Sequence, residues 1–359
     1  MDTTFSPLKS LRIAGFRAFQ DLAIPQLGSV NLIVGKNGVG KTCLLEALLI
    51  YMNQAAPQVI WQILESRDAG ERSPEMEYAL EALRHLFRGR ERLQKSHVMS
   101  LSVGEAGEAS RFVRFSLAWP LSQLTSKLRN FPGVKKERGP GILVETGSGT
   151  IIAESVNWFV EPLGPLQQSN QRCVFVPANG MDAAEITRLW DRVALTEAEE
   201  DVLSSLRLIQ PEISKVNLIV PQQQGEKQNR IPVARLMDEP EPVPLRSLGE
   251  GMVRLMGIAL ALANARNGML LLDEIESGLH YTVQPEMWKL IFATAKRLNI
   301  QVFAATHSWD SITAFQQAVQ TYPTEGLLVR LERKNGNITS TVFDERKLTI
   351  ATRDDIEVR

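Results

Sequence analysis

Cysteine is almost missing from this sequence, and clustered metal ligands are missing altogether. The only thiols, Cys43 and Cys173, stand far apart with no CxxC pair. That excludes a disulfide framework, a zinc ribbon and a zinc hook, and it fits a reducing, cytoplasmic setting. His85, His97, His280 and His307 are never spaced as HExxH or as any other metal cluster. No apolar run reaches the roughly 20 residues that cross a bilayer, and the opening MDTTFSPLKSLRIAGF lacks a charged start followed by an apolar core. Neither a membrane nor secretion is expected. A net charge of −1 removes whole-molecule attraction to nucleic acid, leaving only local basic patches. Sustained heptads are absent as well, which excludes a long coiled-coil arm.

What is present is ordinary globular material, 359 residues at 44% hydrophobic, enough for one large core or two modest ones. Residues 8–35 read as short strands, the last running straight into Gly35, and Lys41–Met52 reads as a helix. Ser73-Pro74-Glu75 carries a hydroxyl cap, a proline and an acid in the order that starts a helix, which the pattern extends to about Gln94. Alternation over 98–160 predicts an antiparallel sheet with a loose loop near 130–141. A short strand over Arg172–Val176, a helical stretch over Asp182–Leu208 and a strand over Lys215–Val220 follow, and the proline-rich 221–245 reads as a polar hairpin or linker. Beyond it, helices 250–266, 282–298 and 308–320 alternate with strands 268–273, 300–305 and 326–332, the pattern of parallel strands flanked by helices.

Three segments carry chemistry. Gly35-Lys36-Asn37-Gly38-Val39-Gly40-Lys41-Thr42 fits GxxxxGK[ST] without mismatch, between an apolar strand and a helix. Its glycines let backbone N–H groups turn toward phosphate oxygens at a helix N-terminus. Lys41 is expected to reach the β- and γ-phosphates and the Thr42 hydroxyl to bind Mg²⁺. Gly35, Asn37, Gly38, Gly40 and Cys43 complete the nucleotide-binding run by position, the Cys43 thiol reading as buried and neutral. Met269–Leu272 followed by Asp273 and Glu274 is an apolar strand ending in two acids at the sheet edge where ligands bind. Asp273 is expected to hold Mg²⁺, and Glu274 to polarise the attacking water. Ser247-Leu248-Gly249-Glu250-Gly251 precedes a helix and offers a second anion-binding helix end.

The order GKNGVGKT, SLGEG, LLLDEIESGLH, QVFAATHS resembles the ATP-binding-cassette branch of ATPases that includes RecF, SMC and the overcoming-lysogenization-defect type, over nearly the whole chain. The compact prokaryotic AAA-type ATP-binding proteins that end near a Glu-Val-Arg tail, here Glu357-Val358-Arg359, are the most similar group, and several of them work in phage defence. The resemblance implies an α/β P-loop NTPase of ABC-ATPase head type: a mixed or parallel sheet flanked by helices, an antiparallel β lobe and a helical insertion at about 56–97. It implies two lobes, residues 1–180 and 181–359, forming one composite domain. Arg17 falls where the family's Phe-Arg motif leans toward the nucleotide. Ser247, Gly249 and Gly251 fall in the signature motif, residues 276–280 in the D-loop, and His307 at the switch histidine facing the γ-phosphate, beside Lys41 and Glu274 as the catalytic set. The family's loop glutamine has no clear counterpart; Gln123, Gln167, Gln168 and Gln171 are equal candidates.

The resemblance further implies that two copies pair head to tail around ATP, passing the change to DNA or to a nuclease. The chain after His307 is too short for a TOPRIM-type nuclease and holds no HNH cluster, so such an effector is expected as a separate polypeptide. A transporter's nucleotide-binding subunit and a non-hydrolysing, ATP-gated scaffold are the alternatives. SLGEG in place of LSGGQ weighs against the first, and the intact Glu274 and His307 against the second. Arg84, Arg88, Arg90, Arg92 and Lys95, and likewise Lys127, Arg129, Lys135, Lys136 and Arg138, read as solvated surface in preference to DNA contacts.

Overall fold

The computed structural model describes residues 5–70, 75–108, 110–120, 139–147, 151–156, 172–220, 230–237 and 241–353, with residues 123, 149 and 239 between them. Its centre is a six-stranded sheet made of β3 (Val30–Val34), β8 (Cys173–Val176), β12 (Gly268–Leu272), β13 (Ile300–Ala305), β14 (Gly326–Lys334) and β15 (Asn337–Phe343). The order is β15-β14-β3-β13-β12-β8, parallel throughout except for the β14–β15 hairpin. Period-two alternation sends Leu32, Val34, Leu270, Leu272, Val302 and Ala304 to one core and Ile33, Met269, Leu271, Phe303 and Ala305 to the other. Burial on both faces is why these strands read as unbroken apolar runs.

The first core is closed by α4 (Ala183–Val193), α5 (Glu197–Leu206), α6 (Glu250–Asn264), α7 (Gln284–Leu298) and α8 (Trp309–Thr321). The second holds α1 (Lys41–Met52), whose buried residues go all round the helix because it lies between the central sheet and an antiparallel one. That second sheet has the order β2-β1-β4-β5-β6-β7, from β1 (Leu11–Phe16), β2 (Phe19–Ile24), β4 (His97–Gly104), β5 (Phe112–Trp119), β6 (Gly141–Thr146) and β7 (Ile151–Ser155). A small third sheet of β9 (Ile213–Ile219), β10 (Ile231–Leu236) and β11 (Val243–Pro244) packs into the first core.

The α/β architecture agrees with the sequence, and strand 300–305 agrees to the residue. Two local readings are corrected. The helix toward Gln94 stops early: α3 (Met76–Leu83) passes into a 3₁₀ turn at Arg84–Leu86, because Phe87 bridges Phe16 and is buried against Phe115. The Asp182–Leu208 stretch is two helices, separated at Leu195, where φ is 62°. Inside the segment read as a polar hairpin or linker, β10 and β11 pair antiparallel, in agreement with the hairpin reading. β15 and α9 (Glu345–Arg353) extend the chain past the last expected strand. Gln167, Gln168, Gln171, the basic residues at 127–138 and the Glu357–Arg359 tail lie outside the described residues.

Candidate active site

The parallel strands β3, β13 and β12 end on one edge, so the loops that follow β3 and β12 meet across β13. After Val34 the chain turns sharply. Gly35 has φ 147°, and a Cβ there would come 2.5 Å from the Leu331 carbonyl oxygen, so only glycine fits. Gly40 then caps α1 at φ 94° with no side-chain hydrogen bond and no acid in the first turn. The first-turn N–H groups are thereby left for an anion, with the helix dipole favouring one.

Lys41 Nζ donates to the carbonyl oxygens of Gly35 at 2.7 Å and Lys36 at 3.3 Å, which curls the side chain back along the loop. Thr42 Oγ1 donates to Asp273 Oδ2 at 2.8 Å. This single contact brings together residues 231 positions apart and joins the two acidic and glycine motifs. Burial holds the Asp273 carboxyl above its usual range, opposed by the Thr42 hydrogen bond. Burial also lowers the Lys41 ammonium, which Asp273, Glu274 and Glu276 counter. Glu274 sits at φ 45°, a left-handed conformation that costs a non-glycine residue about 1–2 kcal/mol. Arg254 of α6 secures that turn, donating from Nη2 to the carbonyls of Asp273 at 2.6 Å and Glu274 at 3.0 Å and from Nη1 to Pro177 at 2.6 Å.

These groups line a cavity of about 850 Å³, roomy enough for a nucleotide. Its walls include Arg17, Asn37, Gly38, Gly40, Lys41, Thr42, Cys43, Asp273 and Glu274, all singled out from the sequence. Arg67, Asp68, His85, Arg88, Arg90 and Arg333 also line it. Six cationic side chains against three carboxylates give the cavity a positive field suited to a polyphosphate. Thr42 and Asp273 present hard oxygens at its base, and among the described residues no three His, Cys, Asp or Glu side chains converge. A cation there would complete its shell from water and phosphate oxygens, which suits Mg²⁺.

Ser247, Gly249, Gly251 and His307 lie off this cavity. Ser247 Oγ donates to the Pro244 carbonyl at 2.6 Å, so Gly249, and not the serine, caps α6. Gly251 packs so closely that a Cβ would meet the Gly278 carbonyl at 2.7 Å. The half-exposed His307 ring lies 3.4 Å from Glu276, whose Oε1 also accepts the His307 backbone N–H at 3.2 Å.

Two protein families match the segments that build this site. Residues 7–88 match an AAA ATPase domain, and residues 206–313 match an AAA domain family described in terms of the AbiEii toxin of a Type IV TA system. Both matched segments are those of AAA domains, and the chain is an ATPase. The ATPase is 21% identical over 348 residues to a protein of Helicobacter pylori named ATP/GTP phosphatase, covering 87% of this chain and 88% of that one. It is 30% identical over 95 residues to an uncharacterized protein of Methanocaldococcus jannaschii, 26% of this chain and 83% of that one. Its fold matches an SMC head bound to the C-winged helix domain of ScpA, with TM-score 0.54 and 12% identity over 96% of this chain and 100% of that one. An SMC head with an extended coiled coil, bound to the C-terminal domain of ScpA derived from Pyrococcus furiosus, matches with TM-score 0.50 and 11% identity over 98% and 99%.

Reading the sequence of the ATPase alone missed Arg67, Asp68, Arg254 and Arg333, and assigned Arg88 and Arg90 to plain surface. Arg333 was out of reach because β14 carries it next to β3, where Nη2 donates to the Gly38 carbonyl at 3.3 Å. Glu46 gave the one available signal: a carboxylate inside an otherwise apolar helix has to be partnered by cations from elsewhere.

Proposed function

We propose that the ATPase hydrolyses ATP with Mg²⁺ between two copies paired head to tail, and that the pairing controls a separately encoded nuclease or another DNA-processing partner in phage defence or DNA maintenance. The observation that supports the reading best is the Thr42–Asp273 hydrogen bond on the floor of the basic cavity. Lys41 leaves its loop carbonyls to meet the β- and γ-phosphates, while the N–H groups at Gly38, Gly40 and the start of α1 hold the chain of phosphates in place. Thr42 and Asp273 would hold Mg²⁺, which when bound would supply charge stabilisation to the phosphate oxygens. Glu274 accepts a proton from the attacking water, and His307 faces the γ-phosphate once the site closes.

The placement of the signature segment supports the pairing. Ser247, Gly249 and Gly251 are not part of the cavity lining of their own copy, and on this reading those groups serve the nucleotide of the other one. Residues 1–180 and 181–359 then act as lobes of one composite domain, with DNA as a further candidate partner. The Glu274→Gln variant tests this: it keeps ATP bound, releases no phosphate and becomes a dimer by light scattering when ATP is added. A monomer with full turnover overturns the reading.

A further inference from the structure

α1 buries a single charged side chain. Glu46 is 3% exposed and lies one helical turn past Thr42, outside the cavity lining. Each of its carboxylate oxygens takes a different arginine. Oε2 accepts from Arg17 Nη1 at 2.8 Å and Oε1 accepts from Arg67 Nε at 2.8 Å. The two arginines arrive from unrelated places, Arg17 from the β1–β2 turn at φ 44° and Arg67 from the segment after α2 (Pro57–Glu65), and both line the cavity. Glu46 thus grips each guanidinium by one nitrogen, and Arg17 Nε is buried without a partner. Arg17 is nearly buried and stacks over Phe16, while Arg67 is 40% exposed at the mouth.

A carboxylate buried to this degree is costly unless its charge is matched, and here it is matched twice. Were its purpose only to satisfy Arg17, one bond would be enough. Were the cavity only to gather positive charge, an uncharged residue at 46 would serve it better, since Glu46 offsets part of the field of both arginines. Fixed geometry is what the carboxylate adds: two planar guanidiniums locked in orientation from one anchor on the phosphate-loop helix.

We infer that Glu46 is a positioning residue that sets Arg17 and Arg67 against the polyphosphate, so that the helical insertion joins the nucleotide site through Arg67. The inference rests on the proposed nucleotide reading of the cavity. Its test compares wild type, Glu46→Gln, Arg67→Ala and the double variant by titration with a fluorescent ATP analogue, steady-state kinetics and melting without nucleotide. Failure of wild type itself to bind the analogue would refute the nucleotide reading, whereas the variants judge Glu46. The account predicts that each single change weakens binding and raises KM by at least about tenfold, with the double variant little worse than the worse single one. Binding by Glu46→Gln that is unchanged or tighter, or strictly additive effects, overturns it, even with a lowered melting temperature. Should Glu46→Gln not fold, the exposed Arg67→Ala decides alone, unchanged affinity counting against the inference.

Discussion

Arg254 donates from Nη2 to the carbonyl oxygen of Asp273 at 2.6 Å, linking the helix of the signature segment to the acidic end of β12 within one copy. The same nitrogen reaches the carbonyl of Glu274, so the left-handed turn that aims this residue depends on a side chain from α6.

Arg254→Met should therefore damage both stability and turnover. A buried carbonyl left without a donor costs about 1–3 kcal/mol; that of Asp273 loses its donor, while those of Pro177 and Glu274 keep the N–H groups of Gly180 and Ser277. Arg254→Lys keeps the charge but cannot fork between carbonyls. It should lose less stability yet lower kcat at least about tenfold. Urea unfolding and phosphate release measure the two effects separately; normal turnover in both variants contradicts the role.

Asp273 predicts a conflict between stability and function that depends on pH. Burial makes the folded carboxyl harder to ionise than the unfolded one, whose ordinary value is 3.8. The folded state therefore loses stability as pH rises through the raised folded value, and the loss is absent below the unfolded value. Asp273→Asn escapes that loss while its amide oxygen still accepts from Thr42. At pH 7 the metal-free variant should unfold at higher urea than wild type, with the gap closing toward pH 4, and it should be inactive. A variant less stable than wild type at pH 7 contradicts this.

The two thiols should be quiet toward thiolate-selective reagents in the native protein. Burial pushes Cys173 up to about 12 and raises Cys43 as well. Because Cys43 lines the cavity, nucleotide should slow its residual labelling further and leave Cys173 untouched. Peptide mapping after alkylation with and without ATP checks both statements; equal Cys43 labelling in the two samples removes it from the nucleotide site.

Much of this site is legible in the sequence, for a local reason. GKNGVGKT and LLLDE each combine a strand, a backbone requirement and a chemical group in a few consecutive residues, so Gly35, Lys41, Thr42 and Asp273 announce themselves. The β1–β2 hairpin and the alternation after residue 250 are equally local. Arg67, Arg88, Arg90 and Arg333 are not, because an arginine on a turn or near a strand end carries no mark of what it faces. Phe87 explains the shortened helix in the same terms: its pairing with Phe16 is a tertiary contact that overrides a helical pattern. Ser247 shows the opposite failure, a residue with the composition of a cap that spends its hydroxyl on Pro244.

The most direct measurement mixes two defective variants, Lys41→Ala and Ser247→Arg, each inactive alone. If the nucleotide is held by the phosphate loop of one copy and the signature segment of the other, a mixed dimer regains one intact site. An equal mixture should then recover phosphate release to about a quarter of wild type. A mixture that stays as inactive as its components would contradict a shared site.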